Sequence, residues 1–307
     1  MKHILWIFLM LAFVLACTSP ATALTLPAPA PVPETAIPLD ALKIASATPT
    51  VAPATLGTTL YISATMHIES QPASWPKDVD AYLAFIERIT TAGMRLSIGA
   101  DVGWLTNGVR VRDVIQRTSA MGVQWDVHAH RSTDRAKAAY LLTQYGVTPT
   151  SVISGMQISE FDMARRPSTY KGYTWTPQVV WGGVKCVSHR PGCDDTSIAL
   201  YRPTSSAQYD AHDPNGNIVR VGNTDHQLAS ADELLTQITA RQYAVPVLSF
   251  TIMIEPETLQ IVNSEDGLDA ILAFVERMKQ NPSVRFGTIE ETAQAWANSG
   301  SVPIQIP

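Results

Sequence analysis

The chain has 307 residues, of which 46% are hydrophobic and 16% are charged, and its formal net charge is -5. This composition is that of a globular protein, long enough for one large domain or two small ones. The mild acidity and the lack of any Lys/Arg cluster give no reason to expect a nucleic-acid partner. The mild acidity and the lack of a basic cluster are both compatible with a polysaccharide substrate.

The N-terminus is typical of an export signal. Residues 1–3 are a short basic start, and residues 4–16 are apolar but too short to span a bilayer comfortably. Two cleavage sites compete. Residues 14–17 resemble a bacterial lipobox, in which Cys17 would be lipidated, so that the signal is 1–17 and the protein is anchored by lipid. Residues 21–23 instead fit ordinary signal peptidase, so that the signal is 1–23. An uncleaved anchor is the third alternative. We expect a periplasmic or extracellular protein.

A linker and a cysteine pair are consistent with export. Residues 18–57 are rich in Pro, Ala and Thr, and such a stretch favours extended polyproline II and forms no core. We interpret it as a tether to a folded domain at 58–307. Cys186 and Cys193 bracket a loop with a Pro-Gly turn, and two cysteines in an oxidising compartment usually form a disulfide. A metal knuckle with His189 is the alternative.

From residue 58 onwards, predicted strands and helices alternate. Apolar runs predict strands at 59–66, 95–100, 123–127 and 151–156, with helical spacing between them at 78–89, 109–121 and 133–145. A loop-rich insertion follows at 157–228, with short strands at 178–181 and 218–221. The alternation then resumes with a helix at 231–241, a strand at 245–254, a helix at 267–279, a strand at 284–289 and a helix at 290–298. This order predicts an α/β fold, a deformed (β/α) barrel of about seven strands.

Two short doublets stand at the ends of predicted strands. His67 and Glu69 follow the first strand, and His128 and His130 follow the third. Because residues i and i+2 of a strand point to one face, each doublet directs two side chains the same way. Parallel strands bring such groups together at the C-terminal edge of a barrel. Two imidazoles and a carboxylate suit a divalent metal, zinc above all. The predicted metal ligands are Glu69, His128 and His130, with His67 as an alternative ligand or a base.

Two further acidic residues end predicted strands, Asp101 after the second and Glu255 after the late strand. With His67 and Glu69 they complete the predicted catalytic set, which would transfer protons during hydrolysis. Glu69 and Glu255 also suggest an alternative hypothesis, in which two carboxyl groups catalyse glycoside hydrolysis. Glu257 follows a proline and is interpreted as a solvated loop residue.

Aromatic residues predict a sugar-binding cleft. Trp104, close after Asp101, and Trp175, in the insertion, are the predicted substrate contacts, because sugar rings stack on aromatic faces. Trp125 is assigned to the core, since its spacing from His128 places it on the opposite face of the strand.

Three segments resemble the polysaccharide deacetylase (NodB-homology) superfamily. Residues 122–128 are similar to the family's strand leading to a metal-binding histidine, residues 145–149 to its helix-to-strand step, and residues 284–291 to its terminal strand and helix. The resemblance spans about residues 58–298. It implies a deformed (β/α) barrel that uses a divalent metal to deacetylate N-acetylated sugars of a carbohydrate or cell-envelope polymer.

The motifs also depart from the family pattern. Residues 65–69 stand where the family carries two adjacent aspartates, a base and a metal ligand. Ser132 occupies the place of the second metal histidine, and Glu255 stands near that of the late catalytic histidine. Arg165 and Pro167 only loosely resemble the third motif. A rearranged hydrolytic site and a non-catalytic glycan-binding barrel are therefore the alternatives that the sequence leaves open.

Overall fold

The computed structural model describes residues 57–185, 197–222, 228–261 and 267–306. All of them belong to one compact unit, Ala54–Pro307. The predicted signal peptide and nearly all of the predicted linker lie outside the described residues, as do Cys17, Cys186 and Cys193. Lipidation and the disulfide therefore stay predictions. Within the described ranges, none of the helices has the length and apolar character needed to cross a membrane.

Strands and helices alternate along most of the described chain. The strands are β1 Thr59–Ile68, β2 Leu96–Ala100, β3 Gln124–His128, β4 Val152–Ser154, β5 Ser168–Tyr170, β6 Tyr173–Trp175, β7 Val179–Trp181, β8 Ile198–Tyr201, β9 Val219–Val221, β10 Val247–Glu255, β11 Gln260–Ile261, β12 Val284–Phe286 and β13 Ile304–Ile306. The helices are α1 Val79–Thr91, α2 Val102–Asn107, α3 Val111–Ala120, α4 Ser132–Gln144, α5 Phe161–Ala164, α6 Leu228–Thr239, α7 Leu268–Lys279 and α8 Ile289–Asn298.

The main sheet is mixed and curled. Strands β10-β1-β2-β3-β4-β7-β9 lie side by side and run parallel, and β12 pairs in parallel with β1. The short strands β11, β8 and β13 add antiparallel pairs at the two ends. Strand β8 also lies against β10, which brings the two ends of the row together. The barrel-like α/β class is confirmed, but the sheet has 11 strands in the described ranges and not about seven.

Alternation along β1 separates an outer core from the barrel interior. Leu60, Ile62 and the other even-numbered side chains are buried in the large cluster under the helices. The odd-numbered side chains face inward, where Tyr61 packs against a second cluster. His67 shows the curl directly, because its ring centroid lies 5.0 Å from that of Trp181 although three strands separate β1 from β7 in the sheet. Such a contact requires the two strands to face each other across an interior.

Helix α8 closes the N-terminal end of this interior. Its residues Ile289, Ala293 and Trp296 pack against the first residues of several parallel strands, among them Val152 and Val247. The helix begins with a capping box in which Thr288 and Glu291 exchange side-chain to backbone hydrogen bonds. The opposite, C-terminal end of the parallel strands is where the two doublets lie.

Candidate metal centre

Strands β1 and β3 bring three ligand-capable residues together. His67 is the penultimate residue of β1, Glu69 follows the strand end directly, and His128 is the last residue of β3. One ligand atom from each of these three lies within 4.8 Å of the others. His67 and His128 are almost fully buried and Glu69 is partly buried. The predicted convergence of the two doublets at one sheet edge is therefore present in the structure.

One glycine on β2 and one directly after β4 make room for the two imidazoles. Strand β2 lies between β1 and β3, and its Gly99 pairs with His67. A Cβ atom on Gly99 would lie 3.2 Å from His67 Cδ2 and 3.3 Å from His128 Cβ, and it would collide with Ser154 Oγ. Gly155, with φ of 72°, packs against the His128 ring in the same way. The imidazoles can approach each other across β2 because no side chain stands between them.

The contacts within the cluster connect Glu69 to both histidines of the second doublet. His128 Nε2 lies 2.9 Å from Glu69 Oε1, and His130 Nε2 lies 3.9 Å from Glu69 Oε2. The rings of His67 and His128 are 4.4 Å apart between centroids. Of the predicted ligand set, Glu69 and His128 lie in the cluster, whereas its third member is His67 and not His130. His130 stands at the rim, with 21% of its side chain exposed.

The electrostatic interaction between Glu69 and His128 lowers the pKa of the carboxyl group and raises that of the imidazole. Burial works to raise the pKa of Glu69, but the charges of His128, His67 and His130 and the hydrogen bond from His128 lower it well below its ordinary value. Burial likewise works to lower the pKa of His128, and Glu69 outweighs it, with smaller contributions from Asp101 and the backbone of Ser154, so that this pKa is raised. A carboxylate is thus held ionised beside a buried imidazole, an arrangement that stabilises a positive charge between them.

The donor set fits a divalent cation. Imidazole nitrogen and carboxylate oxygen are ordinary ligands of zinc and of related ions. Three such residues leave a coordination position for water or substrate, as hydrolytic zinc sites do. The low pKa of Glu69 supplies the ionised carboxylate that such a site needs.

Asp101 has a structural partner that the sequence did not indicate. Its Oδ1 accepts a hydrogen bond of 2.5 Å from the backbone N–H of Gly103 and so caps the short helix α2. Its charge still contributes to raising the pKa of His128, which places it near the centre. It is not a member of the ligand cluster.

Glu255 and Glu257 lie on the neighbouring side of the barrel. Glu255 ends β10, the strand that pairs with β1, and its Oε2 accepts a 3.3 Å hydrogen bond from Thr258. Glu257 is half-buried, and burial, followed by the charges of Glu255 and Glu69, raises its pKa. Glu257 was interpreted as a solvated loop residue, but it is half-buried and the charge of Glu69 contributes to its raised pKa. Its i, i+2 spacing from Glu255 was the available signal.

The predicted aromatic contacts are buried. Trp104 is 1% exposed and stacks on Trp125, with ring centroids 5.7 Å apart and planes within 6°. Trp175 is 5% exposed, and its indole N–H donates a 3.0 Å hydrogen bond to the Thr150 carbonyl. The structure therefore gives no support to sugar stacking on Trp104 or Trp175. Trp125 lies in the outer core, as its spacing from His128 predicted.

Comparison with known proteins adds one distant likeness. No protein-family model matches the chain, and no curated protein matches it significantly. A solved structure from Parabacteroides distasonis, provisionally described as a glycoside hydrolase/deacetylase, superposes with a TM-score of 0.48 and 13% identity. The match covers 80% of this chain and 73% of that chain.

Proposed function

We propose that this protein is a metal-dependent hydrolase that removes acetyl groups from N-acetylated sugars of a carbohydrate or cell-envelope polymer. The observation that carries the proposal is the cluster of His67, Glu69 and His128, whose ligand atoms lie within 4.8 Å at the C-terminal ends of β1 and β3. The resemblance of residues 122–128 and 284–291 to polysaccharide deacetylases supports the substrate class. An exported protein would meet such a polymer outside the cytoplasm.

The ligand cluster has a defined role in this reaction. A divalent ion supplies polarisation of the acyl carbonyl and a water molecule of lowered pKa. His67, Glu69 and His128 would hold that ion, and zinc is the metal that best suits them. The buried position of His128 and the small residues around it fix the direction of its ring.

Two groups are candidates for the proton transfers that amide hydrolysis requires. One group must accept a proton from the attacking water, and one must donate a proton to the leaving amine. His130, at the rim and 3.9 Å from Glu69, suits the first task. Glu257, which retains its proton to higher pH than an ordinary carboxyl group, suits the second.

The glycoside-hydrolase alternative has less support. It requires Glu69 and Glu255 as two carboxyl groups flanking a glycosidic bond. Glu69, however, lies 2.9 Å from His128 Nε2, and Glu255 accepts a hydrogen bond from Thr258. Glu69 is therefore better placed to bind a cation than to attack a sugar.

Metal content tests the proposal. We expect the purified protein to bind one zinc or similar divalent ion per chain, and we expect H67A and H128A to lose it. His212 is the matched control, because its Nδ1 accepts a 3.2 Å hydrogen bond from the backbone of Arg202 in the insertion and it is outside the cluster. H212A should keep the metal. Elemental analysis of the four proteins, with acetate release from N-acetylglucosamine oligomers, measures both parts. Equal metal content in the wild type and H128A would overturn the ligand assignment.

A further inference from the structure

The barrel interior beneath the candidate metal centre has one polar wall. Strands β10, β1, β2, β3 and β4 line it with buried hydroxyl and carboxyl groups, namely Ser249, Thr251, Ser63, Thr65, Ser97, Asp126 and Ser154. The opposite wall is mostly apolar and carries Val179, Leu200, Val219 and Val221. A soluble barrel with a dry core would fill both walls with apolar side chains.

Four hydroxyl and indole groups in this interior have no hydrogen-bond partner within the described part of the chain. They are Thr65 Oγ1, Ser154 Oγ, Trp181 Nε1 and Ser249 Oγ, and each is shielded from solvent. Strand register places them on the interior face. Thr65 is two residues before His67, Ser154 pairs with both His128 and Trp181, and Ser249 pairs with the inward-facing Tyr61.

Two of these four groups lie directly behind the ligands. Ser154 Oγ, His67 Cδ2 and His128 Cβ surround the point at which a Gly99 Cβ would stand. The Trp181 ring meets the His67 ring edge-on, with an interplanar angle of 88°. A hydroxyl therefore lies next to both imidazoles, and an indole ring lies next to that of His67.

Buried water satisfies groups of this kind. A buried polar atom without a partner is costly, and globular proteins meet the cost with internal water molecules that each make about three hydrogen bonds. A hydroxyl group can both donate and accept a hydrogen bond and an indole N–H can donate one, so each of these four groups can bind a water molecule. An apolar ligand would leave these atoms unsatisfied.

We infer that ordered water molecules are bound inside the barrel by Thr65, Ser154, Trp181 and Ser249, and that those at Ser154 and Trp181 hold the ligand imidazoles in position. The second part rests on the proposed function, because it assigns the water a role in metal binding. Hydrogen bonds behind ligand residues orient them and raise metal affinity.

The hydration itself is tested without metal or substrate. In the ¹⁵N-labelled protein, the indole N–H signal that disappears in W181F belongs to Trp181. We expect this signal to show a cross-peak to water in a rotating-frame Overhauser experiment. The cross-peak should have the sign that indicates direct contact, which is opposite to the sign for chemical exchange. An assigned Trp181 signal without that cross-peak would overturn the inference. This outcome does not depend on whether the protein is a hydrolase.

The positioning role is tested by a matched pair of small substitutions. S154A removes a hydroxyl beside the ligands, and S249A removes a buried hydroxyl on β10, next to Tyr61 near the start of β1. We expect the zinc dissociation constant to rise about tenfold in S154A and to stay unchanged in S249A. Equal affinities in S154A and the wild type would refute positioning by Ser154. A wild type that binds neither zinc nor a similar divalent ion would refute the proposed function and the positioning role together, and the NMR result on hydration would stand.

Discussion

At the scale of single residues, Gly99 allows the imidazoles of His67 and His128 to lie close together. The histidine doublets in the sequence predict two pairs of side chains on one face, but they do not reveal that β2 separates the two strands. Because residue 99 of β2 is a glycine, no side chain stands between His67 and His128. The sequence alone gave no reason to connect this glycine with the site, because the connection depends on strand order and register.

Substituting Gly99 should therefore disrupt the centre. The Cβ of G99A would collide with Ser154 Oγ and crowd both imidazoles. We expect a loss of stability of about 1–3 kcal/mol, as for other overpacked interiors, together with loss of bound metal. Denaturant unfolding and elemental analysis measure the two effects. G57A, where the added Cβ would meet nothing within 4 Å, should behave as the wild type. A G99A protein with normal metal content would show that the imidazoles do not depend on this space.

Asp126 offers a pH-dependent prediction. Burial raises the pKa of this carboxyl group well above its ordinary value, and Glu290 raises it further, although the Thr150 hydroxyl at 2.5 Å opposes them. In the unfolded chain the pKa returns to about 3.9. The folded state therefore binds a proton that the unfolded state has lost, and stability falls as pH rises between the two pKa values.

The D126N variant removes this titration. We expect the variant to gain stability relative to the wild type as pH rises from about 4 towards neutrality, where the unfolded carboxyl has lost its proton. Urea midpoints across this range measure the difference. D269N, at a fully solvated aspartate, is the control and should show no such trend. A difference between D126N and the wild type that stays constant with pH would contradict the raised pKa.

At the scale of elements, the long periodic segments were predictable, whereas several of the short elements were not. The predicted strands and helices up to residue 156 and from residue 231 all exist, with ends displaced by at most three residues, and the short strands predicted at 178–181 and 218–221 exist as β7 and β9. Helix α2 was missed because it has only six residues, including Gly103. The hairpin β5–β6 and the strands β8 and β13 have three or four residues each, too few to show a period. Pairing with neighbouring strands, and not local preference, defines such elements.

The missed helix α2 changes the role of Asp101. If Asp101 is mainly a cap, D101N should keep most of the cap, whereas D101A should lose about 1 kcal/mol of stability. Metal content should be preserved in both variants, because Asp101 is outside the ligand cluster. Thermal unfolding and elemental analysis of the pair measure these effects. Loss of metal in the well-folded D101N would instead restore Asp101 as a member of the site.

At the scale of the whole molecule, curling of the sheet determines which residues can act together. The sequence predicted the class of fold and the edge at which the site forms, since both follow from parallel strands joined by helices. It could not predict that Trp181 would face His67 across the interior. That contact arises from closure of the barrel. Trp104 was predicted to line a sugar-binding cleft, but its ring stacks on that of Trp125 in the core. The sequence did not show this contact either.

The direct test of the central claim is a crystal structure of the zinc-soaked protein with anomalous data collected on both sides of the zinc edge. We expect a single strong anomalous peak bounded by the imidazoles of His67 and His128 and the carboxylate of Glu69. A peak elsewhere in the chain, or none at this position while the three side chains are well ordered, would contradict it.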